Sequence, residues 1–296
     1  MAEARPLMAD DTPAADVRQG MLWVLLDMAL VSSMTVLVKK GGADFPAVQM
    51  VFFRSLVGLV AVLPLVWRNW AAIRQTRNAK RNVLRVTCNA VALSSNWGAL
   101  TILPLATANA IGFLRPLVVM VMAIFLLGER VTGWRWCGAA LGLLGVGVML
   151  LPRLTGFGEE DLGLGYLFAG GAILFGAMAT IQTRALKGEN TTVMMVFYTL
   201  GLTLFTAIPA MLVWQPVSIG QLPLLLGIGI IAQVAQYCYL RGYQLAPATR
   251  LAPLGYLSLI FATIMGYTFF DEIPTLYTLG GALVIILGLV VARRHA

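Results

Sequence analysis

The sequence predicts an all-α membrane protein with ten transmembrane helices arranged as two inverted five-helix repeats. The first observation behind this is compositional: 59% of the 296 residues are hydrophobic and 11% charged, with a mean hydropathy of +0.83. The second is that apolar runs recur at lengths suited to a hydrocarbon core of about 30 Å. The third is internal repetition. Phe45–Pro64 falls on Asn190–Pro209, so that Val51-Phe52 meets Val196-Phe197 and Pro64 meets Pro209. Further on, Leu105-Ala106 falls on Leu245-Ala246, and Glu129, Thr132, Gly138 and Gly145 fall on Glu272, Thr275, Gly281 and Gly288. Two homologous copies with an odd number of spans each must enter a bilayer from opposite sides, which is a recurring architecture of secondary transporters.

Taken in order, the apolar runs place spans at 21–38, 48–67, 86–103, 109–127, 136–151, 163–183, 192–214, 223–240, 251–270 and 275–291. The first copy is expected over 18–152 and the second over 153–296, after a disordered cytoplasmic tail at 1–17 rich in Ala, Asp and Pro. Orientation follows from Lys and Arg, which accumulate in cytoplasmic loops. An inside N-terminus gathers Arg5, Arg18, the Arg68 to Arg85 run, Arg130, Arg135, Arg184, Lys187, Arg241, Arg250, Arg293 and Arg294 on one side. With ten spans, both termini are expected in the cytoplasm.

This distribution accounts for the net charge of +8 as topological rather than as a basic face for nucleic acid. Cys88, Cys137 and Cys238 have neither metal nor redox spacing, and the single histidine, His295, lies in the C-terminal tail. No cofactor motif or catalytic constellation is present. An intramembrane enzyme would need convergent acids, ligands or a nucleophile with its base, and Asp27 is the one carboxylate placed within a span.

Leu105-Ala106-Thr107-Ala108, Arg115-Pro116, Leu127-Gly128-Glu129-Arg130 and Gly138, Gly142, Gly145 together resemble the EamA domain of the drug/metabolite transporter superfamily. Leu245-Ala246-Pro247-Ala248, Pro253, Tyr256, Asp271-Glu272, Gly281 and Gly288 repeat the pattern, and Phe53-Arg54 resembles the family's F-R element. One departure is Asp271 where the first copy has Gly128. The resemblance implies a multi-pass bacterial inner-membrane carrier of small metabolites working by alternating access. It is nearest to the YddG-type amino-acid exporters, whose cargo includes aromatic amino acids. Sister branches carry nucleotide sugars, nucleosides, S-adenosylmethionine, sugar phosphates or cationic drugs, and a non-transporting accessory protein is the alternative from another class.

Ionisable groups inside hydrocarbon cost at least about 2.5 kcal/mol and so mark candidate sites. Arg54 and Arg115 are candidates for gripping a carboxylate through the guanidinium fork, the alternative being structural pairing or snorkelling. Asp27 can exchange a proton during transport, pair structurally, or lie near the surface. Across the repeats Asn96-Trp97 falls on Gln236-Tyr237, with Gln233 one turn earlier and Asn89 on the Asn96 face. These residues are expected to line a midplane cavity, unless the amides simply bond neighbouring helices. Pro116 is a candidate gating bend, because proline removes a backbone donor within a helix. The glycines of spans five and ten are expected to form a smooth packing stripe.

Overall fold

A computed structural model of the chain describes residues 13–41, 45–103, 111–154, 163–271 and 273–293. Among these residues, ten helices of thirteen residues or more follow one another. They are α1 (Ala14–Gly41), α2 (Ala47–Arg68), α3 (Ala79–Ile102), α4 (Arg115–Leu127), α5 (Gly133–Leu154), α6 (Gly163–Ala185), α7 (Thr191–Leu212), α8 (Leu222–Leu245), α9 (Leu257–Phe270) and α10 (Leu276–Arg293). Six helical stretches are individually long and apolar enough to cross a membrane.

Two expected boundaries move for identifiable reasons. Helix α3 starts at Ala79 rather than 86, because Asn82 and Arg85 are buried instead of lying in a loop. Helix α1 starts at Ala14, and Val17 is 5% exposed, so residues 14–17 belong to the packed helix and not to the expected tail.

Helices α4 and α9 are the short members, at 13 and 14 residues. At 1.5 Å per residue each covers about 20 Å, which is too little for a hydrocarbon core. In the second repeat the deficit is filled by one helical turn at Ala248–Leu251 and a 3₁₀ segment at Ala252–Tyr256 containing Pro253. In the first repeat a turn at Phe113 and Leu114 precedes α4. Both repeats thus carry a discontinuous fourth helix, and irregular backbone at membrane depth is tolerated where it lines a cavity.

The helices pair across the repeats, and the pairing obeys the pseudo-two-fold. Helix α1 packs on α8 as α3 packs on α6; α2 faces α7; and α5 faces α10. The last pair shows why small residues were required. A Cβ at Gly145 would stand 2.6 Å from the Gly281 carbonyl oxygen, and one at Gly288 would stand 2.7 Å from the Gly138 carbonyl oxygen. These distances are backbone approaches that no side chain survives. Gly145→Val is therefore expected to push α5 from α10 and to lower the thermal midpoint of the detergent-solubilised protein. An unchanged midpoint would contradict the tight seam.

Helices α4 and α9 end in equivalent turns. Gly128 has φ 67° and Asp271 φ 53°, both left-handed. The departure from the family pattern at Asp271 thus leaves the turn intact, since Asp is among the few L residues that visit this region, at a cost of about 1 kcal/mol. Asp271→Gly should raise stability by roughly 0.5–1 kcal/mol in thermal unfolding.

Three arginines expected in loops are instead buried: Arg85 is 1%, Arg135 3% and Arg184 8% exposed. Arg85 donates Nη2 to the Met194 carbonyl at 2.6 Å and lies 5.9 Å over the Tyr198 ring. Arg135 donates to the Arg130 carbonyl at 3.1 Å. Burial is tolerated because backbone oxygens and an aromatic face replace lost hydration.

Candidate substrate cavity

Helices α1, α3, α4, α6, α8 and the start of α9 line an open cavity of about 410 Å³. Helical spacing decides what enters it. On α1, Val24, Asp27, Met28, Val31 and Ser32 recur at intervals of three and four and form one face. On α8, Tyr239 and Tyr243 are one turn apart, with rings 4.7 Å apart. The discontinuity before α4 contributes Gly112, Phe113, Arg115 and Pro116, and the one before α9 contributes Ala252 and Gly255. A side chamber of about 270 Å³ lies between α3 and α6 and shares Asn96, Gly112 and Arg115 with the larger space.

Arg115 stands at this junction. Its Nη2 donates to the Gly176 carbonyl at 2.9 Å and to Thr180 Oγ1 at 3.2 Å. Thr180 Oγ1 also lies 2.9 Å from the Tyr239 hydroxyl. Gly176 is what admits the guanidinium, since a Cβ there would be 3.0 Å from Arg115 Cζ. Among the described residues only neutral acceptors hold the cation, and its position at the N-terminal end of α4 adds the positive end of a helix dipole. Asp27 lines the same cavity, and among the described residues it has no hydrogen-bond or ion-pair partner. The cavity therefore holds one guanidinium and one carboxyl group that are not bonded to each other.

A polar network gathers at the end where α4, α6 and α8 finish. Glu129 accepts from the Ala248 and Thr249 amides at 3.0 and 2.9 Å and from Thr249 Oγ1 at 2.8 Å, capping the turn that follows α8. Its Oε1 is 3.5 Å from Arg184 Nε, and Arg184 Nη1 donates to the Gln244 carbonyl at 2.9 Å. Gln244 in turn donates to the Glu189 carbonyl at 2.9 Å, and Glu189 accepts from Thr76 and Asn78, both at 2.9 Å. A single polar chain thus crosses between the repeats beneath the cavity. Glu272, the repeat partner of Glu129, lies outside the described residues.

The EamA-like transporter family model matches residues 18–151 and again 163–294. The chain belongs to the EamA-like transporter family. Relatives span nearly its whole length. The S-adenosylmethionine uptake transporter of Rickettsia prowazekii (strain Madrid E) is 31% identical, over 90% of this chain and 90% of its own. The pseudopaline exporter CntI of Pseudomonas aeruginosa (strain UCBPP-PA14) is 27% identical, over 94% and 97%. The riboflavin transporter of Rhizobium johnstonii is 29% identical, over 93% and 91%. A protein of known crystal structure superposes with a TM-score of 0.82 at 22% identity, covering 94% of this chain and 97% of the other, a likeness of fold. Together these make the chain a multi-pass membrane transporter of small molecules, and not an enzyme.

Within this EamA protein the sequence-derived residues divide. Asp27, Asn96, Arg115 and Pro116 line the large cavity, and Asn89, Asn96 and Arg115 line the side chamber. The side chain of Trp97 falls outside the described residues. Four of the candidates line neither of these two spaces. Arg54 donates to the Tyr198 hydroxyl at 3.1 Å and ties α2 to α7. Gln233 is 9% exposed and pressed against α2 and α7: a Cβ on Gly58 would be 2.5 Å from its Oε1 and 3.2 Å from Thr199 Cγ2. Gln236, whose Nε2 is buried without a partner among the described residues, lines neither space. Tyr237 stacks edge-on against Trp23 at 5.8 Å on the α1–α8 seam. Pro116 occupies the first turn of α4, directly after the turn at Phe113 and Leu114, where its missing N–H breaks no bond within α4 itself.

Sequence reasoning passed over Thr180, Tyr239 and Tyr243. The available signal was the tyrosine pair one turn apart on α8, next to the Tyr237 that the repeat alignment favoured.

Proposed function

We propose that this carrier moves zwitterionic amino-acid-type metabolites across the bacterial inner membrane. Arg115 would take the substrate carboxylate, and Asp27 the ammonium group. The observation that carries the reading is one cavity holding an Arg whose described bonds run to neutral oxygens and an Asp with no described partner. A substrate bearing both charges satisfies both groups at once and cancels the cost of holding them in a low-dielectric site. The tyrosine pair supplies apolar, hydrogen-bonding wall for an aromatic or other partly apolar body.

The repeats at 18–152 and 153–296 would rock about this site, with both termini in the cytoplasm. Loss of the Glu129 network would open the end of the bundle where it gathers. A single-site carrier is thermodynamically reversible, so gradients set its direction. Export is the direction we assign, as in the pseudopaline exporter. The rickettsial relatives are uptake transporters, and net flux measured from loaded vesicles decides between the two. Asp27 is the group through which a proton would couple, by trading its charge for a proton between the two open states.

Counterflow into proteoliposomes, with labelled amino acids, a nucleoside and a cationic dye, tests the cargo. Saturable amino-acid exchange that Asp27→Asn weakens and makes insensitive to a pH gradient supports the proposal. Exchange of nucleoside or dye alone would replace the cargo class.

A further inference from the structure

The side chamber has its own chemistry. It is walled by Asn89 and Asn96 on α3 and by Ala169, Ala172 and Gly176 on α6, and no carboxylate lines it. Asn89 and Asn96 are seven residues apart on one helix and face the same space. Among the described residues neither amide has a hydrogen-bond partner. The hydroxyls nearby differ, Ser94 donating to the Ala90 carbonyl at 3.0 Å and Thr180 to the Gly176 carbonyl at 3.1 Å. Among the described residues nothing satisfies these two amides, each with donor and acceptor atoms, and they are open to water or a ligand in the chamber. The chamber meets the main cavity at Arg115, where the proposed carboxylate is held.

We infer that the side chamber is a tail subsite, which selects zwitterions whose side chain ends in an uncharged planar group presenting a donor beside an acceptor, such as a carboxamide or the edge of a heterocyclic base. Asn89 and Asn96 pair with that edge, and the small side chain of Ala172 leaves the width for the ring. A charged tail is disfavoured, since a cation would lie near Arg115 and an anion would compete for it. This inference rests on the zwitterion reading of the main cavity.

The test compares three labelled solutes in counterflow: alanine, phenylalanine and 3-(uracil-1-yl)alanine, with Asn89→Leu and Ala172→Leu as separate preparations. In the wild type the uracil compound is expected to compete at least tenfold better than phenylalanine. Asn89→Leu should collapse that uracil-to-phenyl ratio toward one. Ala172→Leu should lower both ring-bearing solutes about tenfold relative to alanine. A wild type without preference for uracil over phenyl, or variants in which all three solutes change in parallel, would overturn the subsite. If the wild type exchanges no zwitterion, the cargo reading fails by itself. Free uracil then decides the chamber by thermal shift: a shift in the wild type that is lost in Asn89→Leu retains the subsite, and no shift removes it.

Discussion

Arg115→Ala is expected to lower amino-acid counterflow by about 10-fold to 150-fold. The estimate follows from losing one charge-assisted contact to a carboxylate, worth about 1.5–3 kcal/mol, at 1.4 kcal/mol per tenfold. Arg115→Lys should recover part of the rate, because the charge survives but the two-pronged geometry does not. The folding contribution of Arg115 is separable from this effect. Its described bonds run to Gly176 O and Thr180 Oγ1, which can turn to each other at 3.1 Å, and Thr180 keeps its Tyr239 contact. The variant should therefore stay folded in a thermal scan while exchange collapses. Wild-type exchange by folded Arg115→Ala would remove the carboxylate role.

Glu129→Ala is expected to give the largest stability loss of any single substitution considered for this chain. It strips the amides of Ala248 and Thr249 of their acceptor and leaves Arg184, 8% exposed, without its carboxylate. Orphaning one member of a buried ion pair costs about 3–5 kcal/mol. That corresponds to a fall in midpoint on the order of 10 °C. Glu129→Gln keeps one acceptor oxygen and should fall between, while Glu129→Ala combined with Arg184→Leu should recover part of the loss because no unpaired charge remains. A midpoint for Glu129→Ala within 2 °C of the wild type, as a rough threshold, would show that the capped turn is not what holds this end together.

The sequence alone carried much of this description, and the reason is visible in particular residues. Repetition of Glu129 at Glu272 and of Gly145 at Gly288, with apolar runs of membrane length, specified helices, their number and their inversion. Hydropathy and repetition are local properties and survive without knowing which helices touch. Arg115, Asp27, Asn89 and Asn96 were legible as candidates because polar groups in hydrocarbon are costly enough to need a purpose.

What the sequence could not decide was direction around each helix. Helices α8 and α9 are apolar nearly all round, so no polar stripe announces the inward face. Adjacent residues on a helix point about 100° apart, and a choice between Tyr237 and Tyr239 is a choice between the α1 seam and the cavity. Only packing settles it: Gly58 receives Gln233, Gly176 receives Arg115, and Tyr198 receives Arg54. Class, helix number and the costly polar groups were therefore determined by the sequence itself, because solvent transfer acts residue by residue. Which of those groups meet in one cavity, and which merely hold two helices together, was decided by tertiary contacts between residues far apart in the chain, such as Arg115 with Gly176 and Glu129 with Thr249.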